Sequence, residues 1–364
     1  MPDAIWIDQS EQLPALAEEL ASQEWIGVDT EFLRERTFFP KLCLLQLSAG
    51  ASIYCIDTLR VGSLAPLMGA LAGGSSRKLI HAARQDLEAL YLGEKKVLSP
   101  IFDTQIAAAC VGLKPQMGYA ELVKTLLQVT LPKGQTRTDW SKRPLTREQL
   151  AYAADDVRYL GEVAAKLTAE LNRLGRMAWV LEDCRALESL ELYEPDVSKS
   201  WQRMRGIGNL TPAARGRAMA IAVWRERLAR ERDLPRSWIL DDATLFSVAH
   251  AAPKDAAALE NIKPLHARFA ASLLETLAAL PAQMPEAAAP LQDLRPTPEQ
   301  KALIERLNQV VDARAKELNL SAEVLAPRGE IKAIALGNRE SPALCGWRAA
   351  EIGSRLLKAL PEAA

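Results

Sequence analysis

Five side chains stand out for what their types and spacing could do together. They are Asp29 and Glu31 in Asp29-Thr30-Glu31, Asp86, and Tyr152 with Asp156. In an extended strand residues i and i+2 share a face, so Asp29 and Glu31 project the same way. Carboxylates so placed repel each other and hold protons tightly unless a cation sits between them. On a helix, Tyr152 and Asp156 are four apart and share a face, whereas Asp155 is rotated by about 100° towards a basic side chain or solvent. The chain has three histidines and five scattered cysteines, so a metal site here must be built of carboxylates. Hard oxygen ligands favour Mg2+ or Mn2+. Each signal alone has an ordinary reading: a solvated loop start, an acid favoured by a helix dipole, or a surface acid beside a half-buried tyrosine.

The surrounding pattern predicts the elements that carry these residues. Trp25 to Asp29, Leu42 to Leu47 and Ser52 to Asp57 are apolar runs with short links, which predicts three strands in an antiparallel meander. Leu79–His81 and Pro100–Asp103 predict two more strands, and helical patterns alternate with them, so a mixed sheet covered by helices is expected. Asp86 then falls in the first turn of a helix. Thr146-Arg147-Glu148-Gln149 has the spacing of a capping box, with Leu145 and Leu150 at the staple positions. Apolar residues follow at helical period to Leu171, with Gly175 as the stop. Beyond about residue 200 strand patterns nearly vanish, and helices are predicted over 211–232, 266–280, 299–318 and 348–360. Five prolines from Pro281 to Pro298 mark a linker. The expected organisation is an α/β domain over 1–200, a helical module over 201–281, a linker over 282–297 and a second helical module over 298–364.

Composition narrows the function classes. The 364 residues are 49% hydrophobic and 25% charged, which excludes collagen-like, disordered and coiled-coil descriptions of the whole chain. Forty-five basic against 46 acidic residues leave a net charge of −1, so any contact with nucleic acid must come from local clusters. Two such clusters exist. Residues 201–236 hold nine arginines against three acids, a net of +6. Lys133, Arg137, Lys142, Arg143 and Arg147 face only Asp139, a net of +4, in the stretch that runs into the Tyr152 helix. No apolar run approaches the ~18–20 residues that span a bilayer. No basic region leads into an apolar stretch near Met1, and no Cys-x-x-Cys occurs, so reduced thiols in a cytoplasmic protein without a membrane are expected.

Taken in order, the acid-x-acid pair, the acid about 55 residues on and the Tyr-x-x-x-Asp helix resemble the three motifs of the DEDD exonuclease superfamily, in its tyrosine-bearing DEDDy subgroup. The flanking residues extend the likeness: Phe39-Pro40, Leu44-Leu45-Gln46-Leu47, Asp103-Thr104-Gln105, Thr138-Asp139-Trp140-Ser141 and Arg143-Pro144-Leu145. Together they resemble the ribonuclease D family over nearly the whole chain. Ile207-Gly208, Ala220 to Glu226, Arg232-Asp233-Leu234-Pro235 and Ile239 to Leu245 are similar to an HRDC domain; residues 297–360, with Gly346-Trp347-Arg348, resemble a second, weaker HRDC-like module.

The resemblance implies a ribonuclease H-like exonuclease domain followed by HRDC modules. It implies a 3′→5′ exoribonuclease that uses two divalent ions, Mg2+ or Mn2+, and releases nucleoside 5′-monophosphates. By the family pattern Asp29 bridges both ions, Glu31 and Asp156 hold the one that carries the attacking water, and Asp86 acts through water. Tyr152 orients that water and takes part in its deprotonation. The implied partner is RNA, by resemblance tRNA precursors with 3′ extensions, and no obligate protein partner is implied. Lys133, Arg137, Lys142 and Arg143 are candidates for phosphate contact. Phe32 and Trp140 are candidates either for stacking on bases or for the core. A 3′→5′ DNA exonuclease and a non-catalytic nucleic-acid-binding scaffold are the alternatives, the second opposed by the presence of all four acids and the tyrosine.

Overall fold

A computed structural model describes residues 4–132, 138–262, 265, 267–280 and 296–361. Six strands form one mixed sheet: β1 (Ile5–Ile7), β2 (Trp25–Leu33), β3 (Lys41–Ala49), β4 (Ser52–Ile56), β5 (Arg77–Ile80) and β6 (Ile101–Asp103), in the order β1-β4-β3-β2-β5-β6. β2, β3 and β4 are the expected antiparallel meander, while β5 and β6 run parallel to β2 on one side and β1 runs parallel to β4 on the other. Strand β1 has no signature in the sequence, because three residues are too few to display an alternation.

Cross-strand register sorts the two faces. Val28, Thr30, Leu45, Leu47, Tyr54 and Ile56 share one face. The helices Leu13–Ala21 and Arg84–Glu94 cover it, joined through Tyr54 Oη to Glu19 and Thr30 Oγ1 to Asp86. Gly27, Asp29, Gln46, Ser48 and Cys55 share the other. There the helix Arg147–Arg158 lies close, with Ser48 Oγ donating to the Val157 carbonyl at 2.9 Å. The site-bearing residues therefore sit where β2 meets two helices, one on each face.

The Thr146 capping box forms as expected, with both reciprocal hydrogen bonds. The helix after it does not run unbroken to Gly175, however. It ends at Arg158, and a second helix spans Leu160–Leu174. The Tyr159 N–H donates to the Tyr119 hydroxyl at 3.2 Å instead of continuing the ladder. Gly175 closes the second helix in the left-handed conformation.

The back half is helical and attaches in two ways. Helices Pro212–Arg232, Asp242–Ala251 and Ala267–Ala278 build a core of their own, with Ile207, Ile221, Leu245, Val248 and Leu273 buried. Helices Pro298–Leu318 and Arg328–Ala335, and the segment 346–358, instead bury Leu307, Val311, Ile331, Ile334 and Leu356 in continuity with the core under the sheet. Trp347 stacks on Trp179 with centroids 4.4 Å apart, and Arg348 pairs with Asp183 at 2.6 and 2.9 Å. The proline-rich linker lies almost wholly outside the described residues. Among the described residues no helix is long and apolar enough to cross a membrane.

Helix and sheet approach each other closely at Gly27, where a Cβ would lie 2.2 Å from Ser48 Oγ and 3.4 Å from the Val157 carbonyl oxygen. Gly27→Ala is expected to lower stability by about 1–3 kcal/mol through overpacking. Adding Ser48→Ala should return part of that loss in thermal melts; no recovery would mean that the clash lies elsewhere.

Candidate active site

Asp29 and Glu31 lie on β2, and Asp156 lies on the Arg147–Arg158 helix one turn beyond Tyr152. Each of the three acids offers a carboxylate oxygen, all within 4.8 Å of one another. The capping box sets the phase of the helix, so Asp156 turns towards β2 while Asp155 turns away and pairs with Arg158 at 2.8 Å. Asp86 is not in this group. It occupies the first turn of the Arg84–Glu94 helix, buried, and its carboxylate accepts from Thr30 Oγ1 at 2.5 Å. Thr30 sits between the two β2 acids and points to the opposite face, so a single residue ties the Asp86 helix to the acid-bearing strand.

The electrostatics follow from crowding. Burial, then the charges of Asp86, Asp156 and Glu31, push the Asp29 carboxyl well above the usual range. Burial, then Asp156 and Asp86, raise Glu31 to about 9. Asp86 and Asp156 rise to about 7, in both cases first because burial disfavours the charged form. The Tyr152 phenol lies one helical turn from Asp156, on the same helix. Its own proton is held more tightly by burial and by the charges of Asp156, Glu31 and Asp29. Among the described residues no ion pair joins a basic side chain to any of these four acids. Clustered hard anionic oxygens without a cationic side-chain partner suit a divalent cation of the Mg2+ or Mn2+ type.

The structure corrects two expected substrate contacts. Trp140 is 2% exposed, packed with Cys43, Leu44, Cys55 and Ala153, its ring centroid 6.1 Å from that of Tyr152. It cannot stack on a base; it backs the Tyr152 ring. Arg143 is not free for phosphate either. It pairs with buried Asp57 at 2.6 and 2.8 Å and donates to the carbonyls of Trp140, Lys142 and Cys43. A buried carboxylate such as Asp57 claims the guanidinium because an unpaired buried charge is costly. Lys142 is exposed and only 3.8 Å from Asp139. Phe32 is half-buried at the end of β2. Lys133 and Arg137 lie outside the described residues.

Several supporting residues escape the sequence reading. Glu31 pairs with Leu44 and Phe32 with Leu42, so the register shifts there and Cys43 bulges out of the β2–β3 ladder. The Arg143 guanidinium holds the freed Cys43 carbonyl at 2.8 Å. Asp103 caps its own helix and also accepts from the Ala82 and Ala83 amides, which fixes the turn that delivers Asp86. Gln46, opposite Asp29 in the ladder, is fully buried with neither amide atom hydrogen-bonded among the described residues. Its place in Leu44-Leu45-Gln46-Leu47, a polar residue inside an apolar strand, is the signal that could have marked it. The 201–236 arginines are partly engaged internally: Arg215, Arg217 and Arg225 donate to backbone carbonyls, and Arg203, Arg230 and Arg236 surround Glu226.

Carboxylates gathered on a mixed sheet, with a helical module behind, agree with what known proteins show. Residues 4–172 match the family described as 3′-5′ exonuclease, and residues 215–280 match the HRDC domain. The chain is thus a 3′→5′ exonuclease that carries an HRDC domain. It is 37% identical to ribonuclease D of Acidiphilium cryptum, over 98% of this chain and 93% of that one. It is 38% identical to ribonuclease D of Xanthomonas oryzae pv. oryzae, over 92% and 93%. The crystal structure of Escherichia coli RNase D, described as an exoribonuclease involved in structured RNA processing, superposes with a TM-score of 0.88 at 30% identity, covering 99% of both chains. The chain belongs to the ribonuclease D family, 3′→5′ exoribonucleases that act on RNA, and the fold implies use of a divalent metal.

The raised carboxyls carry a consequence for stability. Their folded-state values lie above the unfolded ones, near 4, so the folded chain keeps protons that the unfolded chain has lost. The contribution of these carboxyls to metal-free stability should therefore be full at low pH and be lost as pH rises from about 4 through about 7, for Asp86 and Asp156, towards about 9 for Glu31. At pH 8 in chelator, Asp29→Asn should melt above the wild type, because an amide sits uncharged among the other acids without having to retain a proton. An Asp29→Asn variant that melts below the wild type at pH 8 would contradict the crowding described here.

Proposed function

We propose that this chain removes nucleotides from the 3′ ends of tRNA precursors by a two-metal mechanism in the cytoplasm, releasing nucleoside 5′-monophosphates. The observation that carries the reading is the approach of Asp29, Glu31 and Asp156 to within 4.8 Å, on a chain of the ribonuclease D family. Asp29, Glu31 and Asp156 would hold two Mg2+ or Mn2+ ions, with Asp86 reaching them through water. When bound, the ions supply Lewis-acid chemistry: they acidify water and offset the charge on the phosphodiester and on the departing 3′-oxygen. The tRNA preference is supported by the likeness to E. coli RNase D, an exoribonuclease involved in structured RNA processing. All five cysteines being unpaired supports the cytoplasmic location.

The chain's own groups have separable tasks. Asp29, Glu31 and Asp156 hold carboxyl oxygens in place before substrate arrives, against their mutual repulsion. The Tyr152 hydroxyl, one turn from Asp156 on the same helix, would orient an attacking water and share its proton. Trp140 keeps the Tyr152 ring from rotating away. Lys142, exposed beside Asp139, would meet phosphate.

The direct test is incubation of purified protein with a 3′-tailed tRNA, with and without chelation. Asp29→Asn or Asp156→Asn keeps side-chain size and removes a hard ligand, so turnover should fall by at least about a hundredfold with the melting transition retained. Tyr152→Phe should lower kcat by roughly 10²–10⁴ while RNA affinity changes little. Near-normal turnover in either asparagine variant removes the two-metal reading, and equal loss of binding and turnover in Tyr152→Phe makes the tyrosine a substrate contact instead.

A further inference from the structure

The loop that leaves β2 does not end in solvent. Residues 34–40 connect the acid-bearing strand to β3, and both halves of the loop are gripped. At its start, Arg34 forms a two-pronged pair with Glu88 at 3.0 and 3.2 Å, on the same helix as Asp86. At its tip, the backbone N–H groups of Phe38 and Phe39 both donate to one oxygen, Oδ1 of Asp233, at 3.0 and 2.9 Å. Asp233 belongs to the HRDC domain, just past the end of the Pro212–Arg232 helix.

The Phe38 side chain completes the grip. It is 7% exposed, and it is buried not under the sheet but in the HRDC core with Met204, Ile207 and Ile221. The guanidinium groups of Arg236 and Arg230 lie 4.5 and 5.5 Å from its ring centroid. Glu226, 2% exposed, holds Arg236 at 2.5 and 2.8 Å and Arg230 at 3.4 Å. Charged groups are thus locked in place around an aromatic ring borrowed from the nuclease domain. A surface that served only to bind RNA would not need to bury a residue of the loop behind the acids.

We propose that the HRDC domain is a positioning element of the nuclease site: Asp233 and the Phe38 pocket seat the 34–40 loop and thereby set Glu31 at the end of β2. The bulge at Cys43 makes this end of the strand the place where seating matters, since the ladder is interrupted between Glu31 and Phe32. Residues that orient a metal-binding side chain without touching the metal change activity by about 10- to 100-fold when lost. Phe38 and Asp233 are positioning residues in that sense. The inference rests on the reading of Glu31 as a member of the metal-binding set.

Asp233 offers a clean test, because its backbone is left-handed, at φ 49°. Both Gly and Asn accept that conformation, but only Asn retains an Oδ1 that can receive the two N–H groups. The full-length Asp233→Gly and Asp233→Asn variants are compared on a dinucleotide, whose one scissile bond lies at the site, and on a long RNA, across a titration of Mn2+. The expected result for Asp233→Gly is a fall in kcat on the dinucleotide of about tenfold or more, with KM little changed and the Mn2+ midpoint displaced upward several-fold. Asp233→Asn is expected within about threefold of wild type. Phe38→Ala, paired with Phe38→Leu as the partial rescue, reads the same coupling from the other side of the contact. Unchanged dinucleotide kcat in both Asp233→Gly and Phe38→Ala, with KM raised on long RNA alone, overturns the proposal and leaves the HRDC domain as a binding surface. Glu31→Gln is run in parallel: if it keeps full turnover, the reading of the site itself fails, and if it is inactive while Asp233→Gly is normal, only the coupling fails.

Discussion

Everything around the centre of this protein answers to one constraint, the repulsion among carboxylates that the fold forces together and partly buries. Asp29, Glu31 and Asp156 converge within 4.8 Å, and the largest upward influence on each is loss of water, followed by one another's charge or that of a neighbouring acid. Left to themselves such groups would spread apart or neutralise. The chain holds them by attaching each to a rigid element: two to a strand flanked on both sides in the sheet, one to a helix capped at its first turn. A cation that satisfies this arrangement finds its ligands already assembled by the fold.

The braces are spread over both faces of the sheet. Ser48 pins the backbone of the Asp156 helix on one side, and Thr30 pins Asp86 on the other. Arg143 illustrates how a residue that resembles a phosphate contact can serve the interior instead. Its guanidinium neutralises Asp57 and satisfies the carbonyl that the β-bulge leaves unpaired, at the level of Glu31. Trp140 does the same service for Tyr152, buried beside the phenol ring rather than exposed at the surface.

The two helical modules differ in kind. The C-terminal helices share the core of the nuclease domain and are stitched to its last helix through Trp347 and Arg348, so they are part of one packed body. The HRDC domain has a separate core, and the loop behind the acids reaches into it through Phe38 and the Phe38 and Phe39 amides. An exoribonuclease must hold a flexible strand end and a reacting phosphodiester in register. A domain that grips the substrate's flank and the site's own framework would join those two tasks in one contact.

What was legible in the sequence is what local physics decides. Short apolar runs with short links marked β2, β3 and β4, and a hydrogen-bonding box of four residues marked the start of the Tyr152 helix and hence its phase. That phase alone separates Asp156 from Asp155, because both depend only on the rotation per residue. Resemblance to a family added the assembly of acids from three distant segments. The tertiary structure alone decided which charges remain available and which aromatic rings face solvent. Arg143 finds Asp57 across 86 positions, and the Phe38 amide finds Asp233 across 195. No periodicity reports such pairings, since a lysine or arginine in a basic run reads the same whether a buried acid claims it or not. Burial creates the demand for a partner, and burial is a property of the packed chain.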